Sequence, residues 1–205
     1  MSFSKMAACA LAPVAVLATA APAAAADTSA DLARVRAHIT SVDTMTADFV
    51  QTDARGRSAA GTLQLKRPGH IRFQYGSGDL LLVADGKRLW FLDYQVGQKN
   101  SWDLDKTPLG MLLAANPDVR KIGRVVPNAD KRILVVRTSS HGIIATGTLV
   151  LAFLRSPSAP GGLQLYGWTA IDAQNKKTTV RLSNVRYNVP VPDSAFTFKM
   201  PVKRH

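Results

Sequence analysis

The residues that could carry out a reaction are few and scattered. His38, His70, His141 and His205 stand apart in the sequence, with no second histidine at a spacing that would let two rings share a metal ion. Trp102-Asp103-Leu104-Asp105 places two carboxylates one residue apart, which on a strand would face the same side. No third ligand accompanies them, and the run reads instead as an exposed turn ahead of a helix. Neither a Gly-x-Ser-x-Gly elbow nor a phosphate-cradling glycine loop is present. Arg55-Gly56-Arg57 reads as a solvated hairpin tip. So thin a supply of nucleophiles and acid–base groups points to binding rather than catalysis, with no cofactor and no metal site. One short run is more informative. In Lys66-Arg67-Pro68-Gly69 the Pro-Gly pair turns the chain between two alternating strands, and Arg67 sits at the strand end. Its guanidinium carries five donors that could reach the carbonyl groups of a covering helix. An ordinary exposed arginine beside a turn would look the same in sequence.

The elements that must position these residues are legible from periodicity. Leu32, Val35, Ile39 and Val42 recur at helical spacing, so residues 29–42 read as a helix, with Arg34, Arg36 and His38 on its polar face. The period then drops to two. Residues 62–66 and 71–75 alternate polar and apolar, as half-buried strands do, and 79–84 reads as a third strand. Asp85-Gly86 signals a type I′ hairpin, with positive φ at both central positions, leading into a strand over 88–94 with Trp90 and Phe91 on opposite faces. A second helix is marked over 107–115: Thr107 caps it, Pro108 suits its first position, Leu109, Leu112 and Leu113 share a face, and Asn116-Pro117 ends it. After a loop, strands are expected over 131–138, 144–154, 163–171, 177–187 and 195–199. One antiparallel β domain with helices inserted at its start and middle follows. A single sheet of this size must curl to hide its inner face, and if it closes only partly the helices have to cover the opening.

The N-terminus has the layout of a secretory signal peptide. Lys5 precedes an uncharged apolar run from Met6 to Ala20, and small residues with an Ala-x-Ala ending lead to Asp27. Cleavage near Ala26 divides the chain into a signal segment, 1–26, and a mature domain, 27–205, of 205 − 26 = 179 residues. The apolar run is short and alanine-rich for a membrane anchor. Cys9 is the only cysteine and departs with the signal, so the mature protein carries no lipid-accepting cysteine and no disulfide. Loss of Lys5 takes the formal charge from +12 to +11, and every acidic residue is aspartate. The basic residues are scattered, which with export argues against nucleic acid; acidic docking partners and anionic membrane surfaces remain open.

Several runs, taken in order, resemble the outer-membrane lipoprotein carrier (LolA) family. Met45-Thr46-Ala47-Asp48-Phe49-Val50-Gln51 is similar to the family's first strand, and Gly61 to Gly69 to its glycine, alternating strand and Arg-Pro turn. Ile71 to Tyr75 resembles the next strand, and Val83-Ala84-Asp85-Gly86-Lys87-Arg88-Leu89-Trp90-Phe91 is the closest local match. Thr107-Pro108-Leu109 with Leu112-Leu113 resembles the helix that follows, and Phe196-Thr197-Phe198 with Pro201 the ending. The resemblance implies a mainly β fold: an incomplete antiparallel β-barrel, one curved sheet, covered by a lid of short helices over an apolar cavity. It implies a monomeric periplasmic carrier that accepts acylated lipoproteins from an inner-membrane ABC lipoprotein-release transporter and delivers them to an outer-membrane lipoprotein receptor. It implies that Arg67 holds the lid shut when the cavity is empty. Leu63, Leu65, Ile71, Phe73, Leu89 and Phe91 are then cavity candidates on the sheet, and Leu109, Leu112 and Leu113 on the lid; each is equally readable as plain core. A LolA-like domain that binds another lipid or glycolipid, or that senses mislocalised lipoproteins, is the alternative. A small outer-membrane β-barrel fits poorly with two helical segments and a charged tail, and a hydrolase with the missing nucleophile. The chain ends soon after Phe198, so any additional C-terminal strand is expected to be short or absent.

Overall fold

The computed structural model describes residues 23–115, 117–119, 123–139, 147–172 and 174–202. In chain order the elements are α1 (Ala23–Ser41), β1 (Thr44–Thr52), β2 (Ser58–Lys66), β3 (His70–Tyr75), β4 (Leu80–Asp85), β5 (Arg88–Asp93), β6 (Gln98–Asp103), α2 (Pro108–Leu113), β7 (Gly123–Val126), β8 (Ile133–Ser139), β9 (Gly147–Arg155), β10 (Leu163–Asp172) and β11 (Lys177–Tyr187). Short 3₁₀ turns occupy Leu104–Lys106, Pro160–Gly162 and Asp193–Phe196.

All 11 strands form one antiparallel sheet in the order β6-β5-β4-β3-β2-β1-β11-β10-β9-β8-β7. The topology is two meanders zipped together at their outer members: β1 pairs with β11 through Met45↔Tyr187 and Thr52↔Thr179, so the first and last strands lie at the centre. The two edges, β6 and β7, are consecutive in sequence and unpaired with each other among the described residues. The described part of the chain between them carries α2, whose Leu112 and Leu113 belong to the main core.

The sheet buries both faces, but over different regions. On the concave side α1 presents Leu32, Val35 and Ile39 to a core that includes Phe49, Leu63, Ile71, Phe73, Leu151, Phe153, Leu165 and Trp168. Edge-to-face aromatic pairs run across it, Phe49–Phe73 at 5.2 Å, Phe49–Tyr75 at 5.0 Å and Phe73–Trp168 at 5.9 Å between ring centres. On the convex side a smaller cluster forms over β4 and β5, where Val191 and Phe196 cover Leu81, Val83 and Leu92.

Several sequence expectations need correcting. The first helix already includes Ala23, the first described residue, and so extends ahead of the expected start at residue 29, as the high helix propensity of the alanine run favours. Its residue His38 is not on a polar face but buried, at 4% exposure. The β4–β5 turn is not type I′. Asp85 closes β4 and takes the Lys87 and Arg88 amides onto its carboxylate (3.0 and 2.8 Å), while positive φ occurs at Gly86 alone, +95°. Residues 98–103, expected as an exposed turn at their end, form edge strand β6. Residues 123–126, expected as loop, form β7. No strand forms over 195–199. Pro190 and Pro192 remove ladder donors, and the segment follows a 3₁₀ turn that drives Phe196 into the convex cluster. Residues 144–146 of the expected ninth strand, with His141 and His205, lie outside the described residues.

Candidate functional site

Arg67 follows the last residue of β2 and precedes a cis peptide bond to Pro68. Its backbone amide donates to Asp43 O (2.8 Å), which fixes the strand end, and its side chain turns inward toward α2. Nη1 donates to Leu112 O (2.5 Å) and Ala114 O (3.1 Å). The last carbonyls of a helix have no partner within it, so a cation supplied from the sheet meets both an unmet hydrogen-bonding need and the negative end of the helix dipole. Gly69 adds a third tie, its amide donating to Leu113 O at 3.0 Å. Gly69 holds φ at +76°, and a β-carbon there would come within 2.9 Å of Gly86 Cα, so the β2–β3 turn can nest against the β4–β5 turn only as glycine.

The hydrogen bonding of Arg67 is incomplete. Arg67 Nε is buried without an acceptor. Burial also disfavours the charged guanidinium and pushes its pKa down to about 10, still protonated at neutral pH.

All but one of the residues named as cavity candidates pack in or against one apolar core. Leu63, Leu65, Ile71, Phe73, Leu89, Leu112 and Leu113 belong to the concave core, and Leu109 packs half-buried against it. Among the described residues, small voids of about 10 Å³ lie in this core, one beside Ile39, Leu112 and Val119 and one beside His38, Arg67 and Phe153. Phe91 stands apart, half-buried and outside that cluster. Its neighbour on β6, Trp102, lies opposite Leu89 and so shares the concave face, yet is 49% exposed. Sequence reasoning missed Trp102, because the edge strand that orients it was read as a turn. It missed Trp168, Phe153 and Leu151 as well, although their apolar alternation in β9 and β10 carried the signal. Outside the lid, an open groove of about 720 Å³ runs between Gly69, Lys87, Lys106 and Leu113, so the carbonyl end of α2 is reachable from solvent.

The described residues contain no group of three or more His, Cys, Asp or Glu that could hold a metal ion, and no helix long and apolar enough to cross a membrane. A family model described as outer membrane lipoprotein carrier protein LolA matches residues 40–199. The chain belongs to the LolA family. Curated relatives are similar along most of their length. The outer-membrane lipoprotein carrier protein of Legionella pneumophila (strain Corby) is 27% identical over 182 residues, 85% of this chain and 87% of the relative. That of Actinobacillus succinogenes is 28% identical over 195 residues, 90% and 88% respectively. Among solved structures, a LolA superfamily protein from Nitrosomonas europaea aligns with a TM-score of 0.47 at 12% identity, covering 83% of this chain and 97% of that one. The LolA family comprises carriers and not enzymes, and the open sheet with helix α2 is the scaffold on which this member's Arg67 and apolar face are mounted.

Proposed function

We propose that the protein is exported, loses residues 1–26, and carries the acyl chains of lipoproteins through the periplasm. It takes them, as a monomer, from an inner-membrane ABC lipoprotein-release transporter and surrenders them to an outer-membrane lipoprotein receptor. The observation that carries this reading is the pairing of an apolar concave face with a lid tied down by hydrogen bonds from one arginine. An acyl chain left in water costs about 0.8 kcal/mol per methylene, on the order of 10 kcal/mol for a long chain, so transit demands a cover. A cover that only binds would never release. Charge-assisted hydrogen bonds contribute roughly 1.5–3 kcal/mol each, and cargo must break those of Arg67 before it can occupy the face beneath α2. The empty state thereby opposes loading, and the same opposition helps unloading. Phe91 and Trp102, accessible on the concave face while the lid is shut, suit first contact with a chain.

The deciding experiment is native mass spectrometry of the protein purified from the periplasm. A complex with an acylated lipoprotein, on a chain starting near Asp27, is the expected result. A bound free phospholipid or glycolipid instead would replace this reading with transport of another lipid.

A further inference from the structure

The convex face is treated differently along its length. Over β4 and β5 the chain covers it with its own C-terminal segment, through Val191 and Phe196. Over β8 to β11 no described segment does so, and the side chains there are not those of a merely solvated face. Val126 (36% exposed), Leu154 (37%) and Tyr166 (43%) point outward among half-buried Val135, Val150 and Ala152. Register places them on common rows: Val126, Val135, Ala152, Gly167 and Arg181 lie side by side across five strands, and Arg137, Val150, Thr169 and Thr179 form the adjoining row.

Around these apolar residues the charge is predominantly positive. Arg137 on β8 and Lys177, Arg181 and Arg186 on β11 are exposed, and none of their side chains makes a hydrogen bond or ion pair with another described residue. Asp48 is the one carboxylate that these central and β8–β11 strands turn outward within the ladder, and it accepts a hydrogen bond from Asn184 (2.6 Å). Arg137 and Arg181 sit three strands apart, roughly 14 Å, which is the scale of a protein epitope.

We propose that the convex face of β8–β11 is a docking surface for an acidic protein partner, separate from the acyl cavity on the opposite face. Charge complementarity selects an acidic surface, and arginine with an apolar centre is the composition of a protein interface. A bilayer is the poorer fit, because the apolar side chains are mostly short and lie flush with a rigid sheet rather than projecting from a loop. The face points away from the lid, so a partner can hold the carrier while α2 opens and cargo leaves.

The test rests on the carrier reading only for its choice of partners: the purified periplasmic domain of the ABC transporter and the purified outer-membrane receptor from the same cell. Binding of each to the full mature chain is measured at low and high salt, for wild type and for Arg137→Glu/Arg181→Glu. Arg137→Gln/Arg181→Gln serves as a milder pair, with a thermal melt on each. The expected result is wild-type binding that weakens with salt and falls on the order of tenfold in the variants for at least one partner. Binding of a fluorescent acyl probe should be unchanged, because neither arginine faces the cavity. Unchanged affinity of folded variants for both partners, or no wild-type binding to either, overturns the proposal. So does a defect confined to phosphatidylglycerol vesicles, which would assign the face to a membrane. Failure of the wild type to bind acyl probe would instead sink the carrier reading and leave the docking result to stand by its own measurement.

Discussion

Arg67 gains two carbonyl partners on α2 and loses one opportunity, since its Nε is buried with nothing to donate to. A buried donor left unmatched costs about 1–3 kcal/mol, comparable to one of the bonds formed, so the latch is net weaker than its geometry suggests. On the proposed carrier reading, that suits a lid that opens in every cycle. Arg67→Leu keeps aliphatic bulk, removes both bonds and removes the orphan donor. The variant is expected to fold, to take up cargo, and to hold it more tightly, with transfer to the outer-membrane receptor reduced on the order of tenfold or more. Arg67→Lys retains charge without the fork and should fall between. A transfer assay with loaded, purified protein checks both, beside a thermal melt; normal transfer by a folded Arg67→Leu would make the latch incidental. At this scale the sequence was informative where a turn fixed the residue's place. Lys66-Arg67-Pro68-Gly69 located Arg67 at a strand end, but the carbonyls it reaches lie 45 and 47 residues away, and no local pattern encodes that pairing.

Helix α1 is tied to the rest of the fold by an apolar face and by polar contacts that include two from its interior residues. Arg155 grips Asp31 through two parallel bonds of 2.8 and 2.7 Å, and His38 Nδ1 donates to Pro160 O at 2.9 Å between the rings of Phe153 and Tyr187. Periodicity revealed the apolar face. It assigned His38 to the wrong side, because a histidine scores as polar, while the carbonyl that satisfies it sits 122 residues on. Burial, and secondarily the nearby charge of Arg67, lowers the His38 pKa below 6.5. The unfolded chain therefore binds a proton that the folded one refuses between the lowered pKa and 6.5. Stability contributed by neutral His38 is complete above 6.5 and is lost as pH falls through that window. The melting temperature should accordingly drop as the buffer is taken from about pH 7.5 to about pH 5, and His38→Gln should flatten that dependence while lowering the plateau. An identical slope in the two proteins would show that other groups govern the acid limb. The elements that sequence misplaced, β6 and β7, are the two edges. Polar Gln98-Lys99-Asn100-Ser101 and four-residue Gly123–Val126 lack the alternation of a half-buried strand, because only one neighbour and one face constrain them.

For the molecule as a whole, open-sheet topology and a packed core make one demand. The expected open antiparallel sheet with a helix packed on it is what forms, since alternation over so many strands leaves little else, and among the described residues the core beneath α2 holds voids of about 10 Å³. Void volume is set by how side chains interdigitate across strands far apart in sequence, which periodicity does not report. On the proposed carrier reading, an acyl chain that enters beneath α2 displaces it. The Gly69 amide is the natural reporter, because its acceptor, Leu113 O, belongs to the lid, whereas the Arg67 amide two residues earlier is bonded to Asp43 O and does not depend on the lid. Hydrogen exchange at Gly69 should accelerate on the order of tenfold when the protein is loaded with cargo or saturated with a long acyl probe, with Arg67 unchanged. Acceleration at both would mean general loosening of the β2–β3 turn. Equal protection at Gly69 in empty and loaded protein would place the chain outside the lid, along the strip that Phe91 and Trp102 leave accessible, and a shut lid would then be the carrying state.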